Sequence, residues 1–364
     1  RLRVGQGDRI HRLSIEVMGA IIGVTPETVS RILSEFGRQG IVAKDDSTVG
    51  TQRQFHSDIP ALEIELISAN TWTVNNCYAT HMQKDRVFIM GDAAHRHPPS
   101  NGLGSNTSIQ DSFNLAWKLA AVVKGQAGPG LLETYSTERA PIAKQIVTRA
   151  NQSIAEFGPI FEALGMDGGV DPEKIQRNMA ARCDATPAAE KQRDALRKAI
   201  EFKKYEFDCH GVEMNQRYRS AAAVTDGQPE PAADRDMELH YQPTTWPGAR
   251  IPHVWVFDRH GAKHSTLDIT GRGQFTILTG IGGEAWVTAA EAVGHELGLP
   301  VRTHVIGPRR EIEDHSGDWA RAREIADSGC LLVRPDQHVG WRAMAMTRDP
   351  EGDLRRVLKA ILAR

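Results

Sequence analysis

The chain has 364 residues, 40% hydrophobic and 25% charged, an ordinary composition for a globular protein of two or three domains. Its formal net charge of −2 excludes global attraction to nucleic acid or membrane, so any DNA contact has to be local. No apolar run is long enough to cross a bilayer, no signal sequence opens the chain, and Cys77, Cys183, Cys209 and Cys330 stand singly, which argues against a disulfide framework or a zinc site and for a reducing, cytoplasmic setting.

In chain order, residues 1–50 read as short helices. "IEVMGAIIGVTPETVSRIL" holds two apolar-periodic segments joined at Gly23, with Thr25 as N-cap and Pro26 as first helical residue. Residues 61–68 alternate as a half-buried strand, and "TWTVNNCYATHM" follows as a second strand. "RVFIM", residues 86–90, reads as a strand buried on both faces of a parallel sheet. A helix is expected from about Thr107 to Lys124, with Ile109, Phe113, Ala116, Trp117 and Ala120 on its apolar side. The next helix begins near Leu131, and Pro141 is expected to kink or divide it. Residues 166–204 read as mostly helical and 225–252 as a linker that Trp246-Pro247-Gly248 anchors to the last domain. From 253 onward the pattern is a compact α/β unit, with "HVWVFD", "STLDI", "FTILTG", "VRTHVIG", "CLLVRPD" and "VGWRAM" as strands around two helices.

The chemistry concentrates in "GDAAHRHPPSNGLGSNTSIQDSFNLAWKL", residues 91–119. A carboxylate just after a strand sits where open α/β sheets bind ligands and suits a sugar or ribityl hydroxyl. Gly102 and Gly104 let backbone approach a flat ligand, and the following helix start offers free N–H groups and partial positive charge. His95-x-His97 lacks a third ligand near it, so no metal is assigned. "GIGGEA" at 280–285 fits a Gly-x-Gly-x-x-Ala fingerprint, but the next strand ends in Gly-Pro in place of an acid, so it reads as a plain β–α turn.

The 91–119 run resembles the second FAD-binding motif of the single-component flavoprotein aromatic hydroxylases, phenol hydroxylase branch. The likeness runs from about Ala61 to Ala343 through "STERAPIAKQIVTRAN", "HGVEMNQRY", "QPTTWPGARIPHVW" and "GDWARAREIADSGCLLVRPDQHVGWRA". It implies a mixed α/β architecture: a partial FAD-binding and substrate domain at 51–224, the linker, and a thioredoxin-like domain without redox cysteines at 253–364. It further implies FAD as cofactor, NADPH as reductant, and O2 insertion ortho to the hydroxyl of a chlorophenol-like phenol, in a homo-oligomer. Carried over by position, Gly91, Asp92, Ala93, His95, Pro98, Pro99, Gly102, Leu103, Gly104, Asn106 and Thr107 would border the cofactor, with Asp92 on the ribityl chain and Leu103 and Gly104 at the pyrimidine edge. No Gly-x-Gly-x-x-Gly strand–turn–helix precedes this region, and no residue is assigned as catalytic.

Residues 9–48 carry a second resemblance, to the helix-turn-helix of cyclic-AMP-receptor/FNR-type regulators. It implies DNA contact by Glu27, Ser30 and Arg31, which share one face of the second helix: Glu can accept from cytosine N4 and Arg can bond guanine O6/N7. The expectation is a truncated hydroxylase joined behind a regulator's segment, with the junction near residues 45–60.

Overall fold

A computed structural model describes residues 74–166 and 172–364 in full, with the backbone of four short strands before residue 74. The chain divides into two compact units between Asn75 and Asn76. In the first, β1 (Leu2–Arg3), β2 (Val42–Lys44), β3 (Thr48–Thr51) and β4 (Leu62–Glu65) form an antiparallel sheet in the order β1-β4-β3-β2. β4 falls inside the strand that the 61–68 alternation predicts. β2 and β3 correct the all-helical reading of residues 1–50; β3 is Thr- and Val-rich, a composition that favours the pleated ladder. The two expected helices, with Glu27, Ser30 and Arg31, lie outside the described residues.

The second unit opens with short antiparallel pairs. β5 (Cys77–Tyr78) pairs with β8 (His95–Arg96), and β6 (Gln83–Lys84) with β7 (Val87–Phe88). "RVFIM" is therefore not a parallel-sheet strand: two of its residues close a hairpin, and Val87 is 66% exposed. Then follow α1 (Leu103–Val123) and α2 (Gly130–Ala155), which runs through Pro141 unbroken. α3 (Gly158–Ala163), α4 (Pro172–Ala181), α5 (Pro187–Phe202), α6 (Lys204–Phe207) and α7 (His210–Met214) complete the helical half; α4 and α5 fall in the 166–204 stretch that the sequence predicts as mostly helical.

The last part contains β9 (Trp255–Asp258), β10 (Lys263–Ser265), α8 (Thr266–Ile269), β11 (Phe275–Thr279), α9 (Glu284–Leu297), β12 (Val301–Val305), β13 (Ile312–Glu313), α10 (Asp318–Ala322), β14 (Cys330–Val333), β15 (Val339–Ala343) and α11 (Pro350–Ile361). Its main sheet has the order β12-β11-β14-β15, with β11 and β12 parallel across α9 and the other pairs antiparallel. "STLDI" is mostly helix: Ser265 caps α8 and Asp268 answers it in a capping box, and those reciprocal hydrogen bonds outweigh the strand-like alternation.

The expected linker lies against the fold as a strap. Gly248 N–H donates to the Val339 carbonyl at 2.8 Å, Val339 N–H to Ala249 at 2.8 Å, and Tyr218 N–H to Gly248 at 2.9 Å. One hydrophobic core joins the helical half to the sheet: Trp117, Ala121 and Leu131 pack with Phe275, Trp286, Val293, Trp341 and Leu358. Burying such large side chains contributes about 1.5–3 kcal/mol each, so the two halves stand or fall together.

Candidate active site: a tethered loop, a helix start and a buried charge network

The loop 91–102 is positioned from below by one carboxylate. Asp111, fully buried on α1, accepts the Gly91 N–H at 3.1 Å, meets His95 Nε2 at 2.8 Å and accepts Arg139 Nε at 2.7 Å. Burial would raise the Asp111 carboxyl, but the His95 hydrogen bond and the Arg139 guanidinium outweigh it and hold it below the usual carboxylate range. Gly91 has φ +56°, and a Cβ there would approach Ser108 Oγ to 2.9 Å, so only glycine lets the turn sit this close to α1.

α1 starts four residues earlier than the sequence suggests. Its N-cap, Gly102, provides no side-chain cap, and Asn106 Nδ2 donates back to the Gly102 carbonyl at 2.8 Å. The first-turn N–H groups of a 21-residue helix therefore point outward uncapped, beside the loop. That arrangement fits the edge of a planar, electron-accepting ring such as a flavin.

Of the residues singled out by resemblance, Asp92, Ala93, Pro99, Gly102 and Asn106 are exposed and Gly104 is partly so. Gly91, His95, Pro98, Leu103 and Thr107 are buried. His95 is engaged with Asp111, and the Leu103 side chain packs into a cluster with Ile142, Ile146, Val212 and Tyr218. Both shape the loop from behind, while Asp92 is exposed. His97 Nδ1 donates to the Pro98 carbonyl at 2.7 Å, and burial lowers its pKa. Among the described residues no group of three or more His, Cys, Asp and Glu could hold a metal ion.

The expected apolar face of α1 is mostly exposed: of its five residues only Trp117 is buried, in the core described above. Ile109 is 66% and Phe113 47% exposed, whereas Asp111, Asn114 and Lys118 are at most 1% exposed. The reason is a second network behind the loop. Glu138, on α2, accepts Asn114 Nδ2 at 2.7 Å, Lys118 Nζ at 2.7 Å, Ser220 Oγ at 2.6 Å and both Arg334 Nη groups at 2.6 and 3.0 Å. Arg334 also reaches Asp336 at 2.6 and 3.0 Å. Two cations and two carboxylates thus neutralise one another in the interior, where an unpaired charge would be prohibitive. Arg334 and Lys118 hold Glu138 far below the carboxylate range against its burial, and burial brings Lys118 down to about 8. None of these residues was singled out from sequence. The available signal was Asp111, Asn114 and Lys118 recurring at helical spacing beside Leu115, with Glu138-Arg139 one helix later.

With that geometry in hand, comparison with known proteins is specific. Residues 33–150 match the FAD binding domain and residues 244–364 the C-terminal domain of aromatic-ring hydroxylases. Residues 1–53 match the Crp-like helix-turn-helix domain, which overlaps the first of these matches. The chain is 53% identical over 302 residues to a 2,4-dichlorophenol 6-monooxygenase of Delftia acidovorans, covering 83% of this chain and 51% of that one. It is 52% identical over 300 residues to a phenol 2-monooxygenase of Pseudomonas, covering 82% and 49%. Among solved structures it resembles the flavin-dependent monooxygenase PieE in complex with FAD and substrate, with a TM-score of 0.77 at 37% identity, over 92% of this chain and 64% of that one. The chain spans about half the length of the curated relatives it matches. Among the described residues no helix is long and apolar enough to cross a membrane.

Proposed function

We propose that this chain contributes the flavin-loop half of an FAD-dependent monooxygenase that hydroxylates a phenol ortho to its hydroxyl, with NADPH and O2 as co-substrates. The observation that carries the reading is the uncapped start of α1 beside a loop tethered through Gly91 to buried Asp111. In this reading the exposed Asp92 carboxylate accepts a ribityl hydroxyl, and the Leu103 and Gly104 N–H groups face the pyrimidine edge. The α1 dipole stabilises negative charge at that edge. Gly91, Pro98, Pro99, Gly102, Asn106 and Thr107 set the loop's path, with Ala93 and His95 at its bend. Bound FAD would supply the electron relay from NADPH and the activation of O2; the protein's part is to place and polarise it. The βαβ unit followed by an antiparallel pair and a helix supports a thioredoxin-like reading of the last domain, with a role in packing or homo-oligomerisation. We place the protein in the cytoplasm, in keeping with its four free cysteines.

The test is an absorbance spectrum after incubation with FAD and desalting. Retained flavin bands that Asp92→Ala weakens are the expected result; a colourless protein overturns the reading for this chain.

The helix-turn-helix match favours a second reading, DNA binding through Glu27, Ser30 and Arg31. It requires salt-sensitive binding to a duplex, with Arg31→Ala losing sequence preference.

A further inference from the structure

The tether under the loop does not end at Asp111. Arg139, fully buried on α2, gives Nε to Asp111 and turns its other nitrogens elsewhere. Nη1 donates to Tyr218 Oη at 3.1 Å and to Gln216 Oε1 at 3.3 Å, and Nη2 to the Thr107 carbonyl in α1 at 3.4 Å. A guanidinium is a rigid planar fork, so whatever fixes Nη1 also fixes the direction in which Nε points. Tyr218 is 3% exposed and packs in the cluster with Leu103, Ile142 and Ile146. Its ring is also where the two buried networks meet. The Arg139 guanidinium lies 5.9 Å and the Arg334 guanidinium 5.4 Å from the ring centre.

What holds this tyrosine comes from the last domain. His338 stacks on it with ring centroids 4.1 Å apart and 24° between the planes. The imidazole is itself fixed. Its Nδ1 donates to the Asp336 carbonyl at 2.9 Å, the His338 carbonyl accepts the Arg334 N–H at 2.7 Å, and the residue bridges to Arg250 in the strap. We propose that His338 is a positioning residue for the flavin loop: its ring holds Tyr218, Tyr218 holds Arg139, and Arg139 keeps Asp111 aimed at Gly91 and His95. The last domain thereby orders a loop that lies far from it in sequence. The functional meaning of this control rests on the flavin-loop reading, but the coupling itself is a property of the flavin-free chain.

The experiment is amide hydrogen exchange of the full chain without FAD, comparing the unaltered protein with His338→Ala, His338→Phe and Tyr218→Phe. His338→Ala should speed exchange over residues 91–97 by about two- to tenfold, the factor that a stacked ring pair is worth. Buried β11 should keep its protection in the same sample. His338→Phe retains a ring to stack and should restore slow exchange in the loop. Tyr218→Phe deletes one hydroxyl that accepts from Arg139, keeps the packing, and should speed the same segment; it decides even where His338→Ala fails to fold. Unchanged exchange over 91–97, equal acceleration of the loop and β11, or a His338→Phe variant that behaves like His338→Ala each overturns the assignment. A colourless protein after loading with FAD would instead overturn the flavin-loop reading, while the exchange comparison, made without flavin, decides the coupling.

Discussion

Glu138→Gln is the perturbation that weighs the buried network most directly. The carboxylate gathers Asn114, Lys118, Ser220 and Arg334, and all of the charged atoms involved are sealed from solvent. The amide keeps the shape but leaves Lys118 without a counter-charge, while Arg334 retains only Asp336. Removing one member of a buried ion pair costs about 3–5 kcal/mol, against about 0–1 for an exposed pair. At about 2–4 °C per kcal/mol for a large domain, the melting midpoint should fall by roughly 6–20 °C at pH 7. Because the pair is buried, added salt should change the difference little. Thermal unfolding followed by circular dichroism reads the shift directly. Adding Lys118→Met to Glu138→Gln removes the stranded charge and should recover a large part of the loss. A drop equivalent to less than about 1 kcal/mol, or a double variant worse than the sum of its parts, would show that the network is not the buried, charge-neutral cluster described.

Three further outcomes follow from the same geometry. Asp111→Asn should loosen the loop by about 1–3 kcal/mol at Gly91, read as faster amide exchange over residues 91–97 in the flavin-free protein; unchanged exchange would deny Asp111 its tethering role. Gly248→Ala puts a Cβ 2.1 Å from the Tyr218 carbonyl at φ +93°, so the strap must shift and stability should drop by more than about 1 kcal/mol in urea unfolding. For pH, Glu138, Asp336 and Asp111 all have folded pKa values below their unfolded ones. Their stabilisation is fully present above about pH 4–5 and is lost as pH falls toward the folded values, so acid unfolding should steepen below pH 4 and Glu138→Gln should flatten it. Lys118 runs the other way: its pKa of about 8 lies below the unfolded value near 10.4, so its charged form costs stability below pH 8, and that cost eases as pH rises between the two values.

Local chemistry made several elements legible from sequence alone. Charged, Ala-rich runs gave α4 and α5, a Pro and an N-capping Thr186 started α5, and the apolar run "FTILT" became β11, buried at every position. The loop motif could be found because its glycines reflect backbone demands that are met within a few residues, although Asp92 stands in a 3-10 turn and not at the end of a sheet strand. Tertiary structure alone decided which way α1 faces. Helical periodicity weighs apolar against polar positions one helix at a time, and on that measure Ile109 and Phe113 should be inside. They are outside because Glu138 lies 24 residues from Asn114 and Arg334 lies 196 residues from Glu138, and only the folded chain brings these charges together to neutralise one another. The same long-range meeting places Asp111 under Gly91, stacks His338 on Tyr218 and binds the 225–252 segment down as a strap. Each depends on residues too distant for any local pattern to pair.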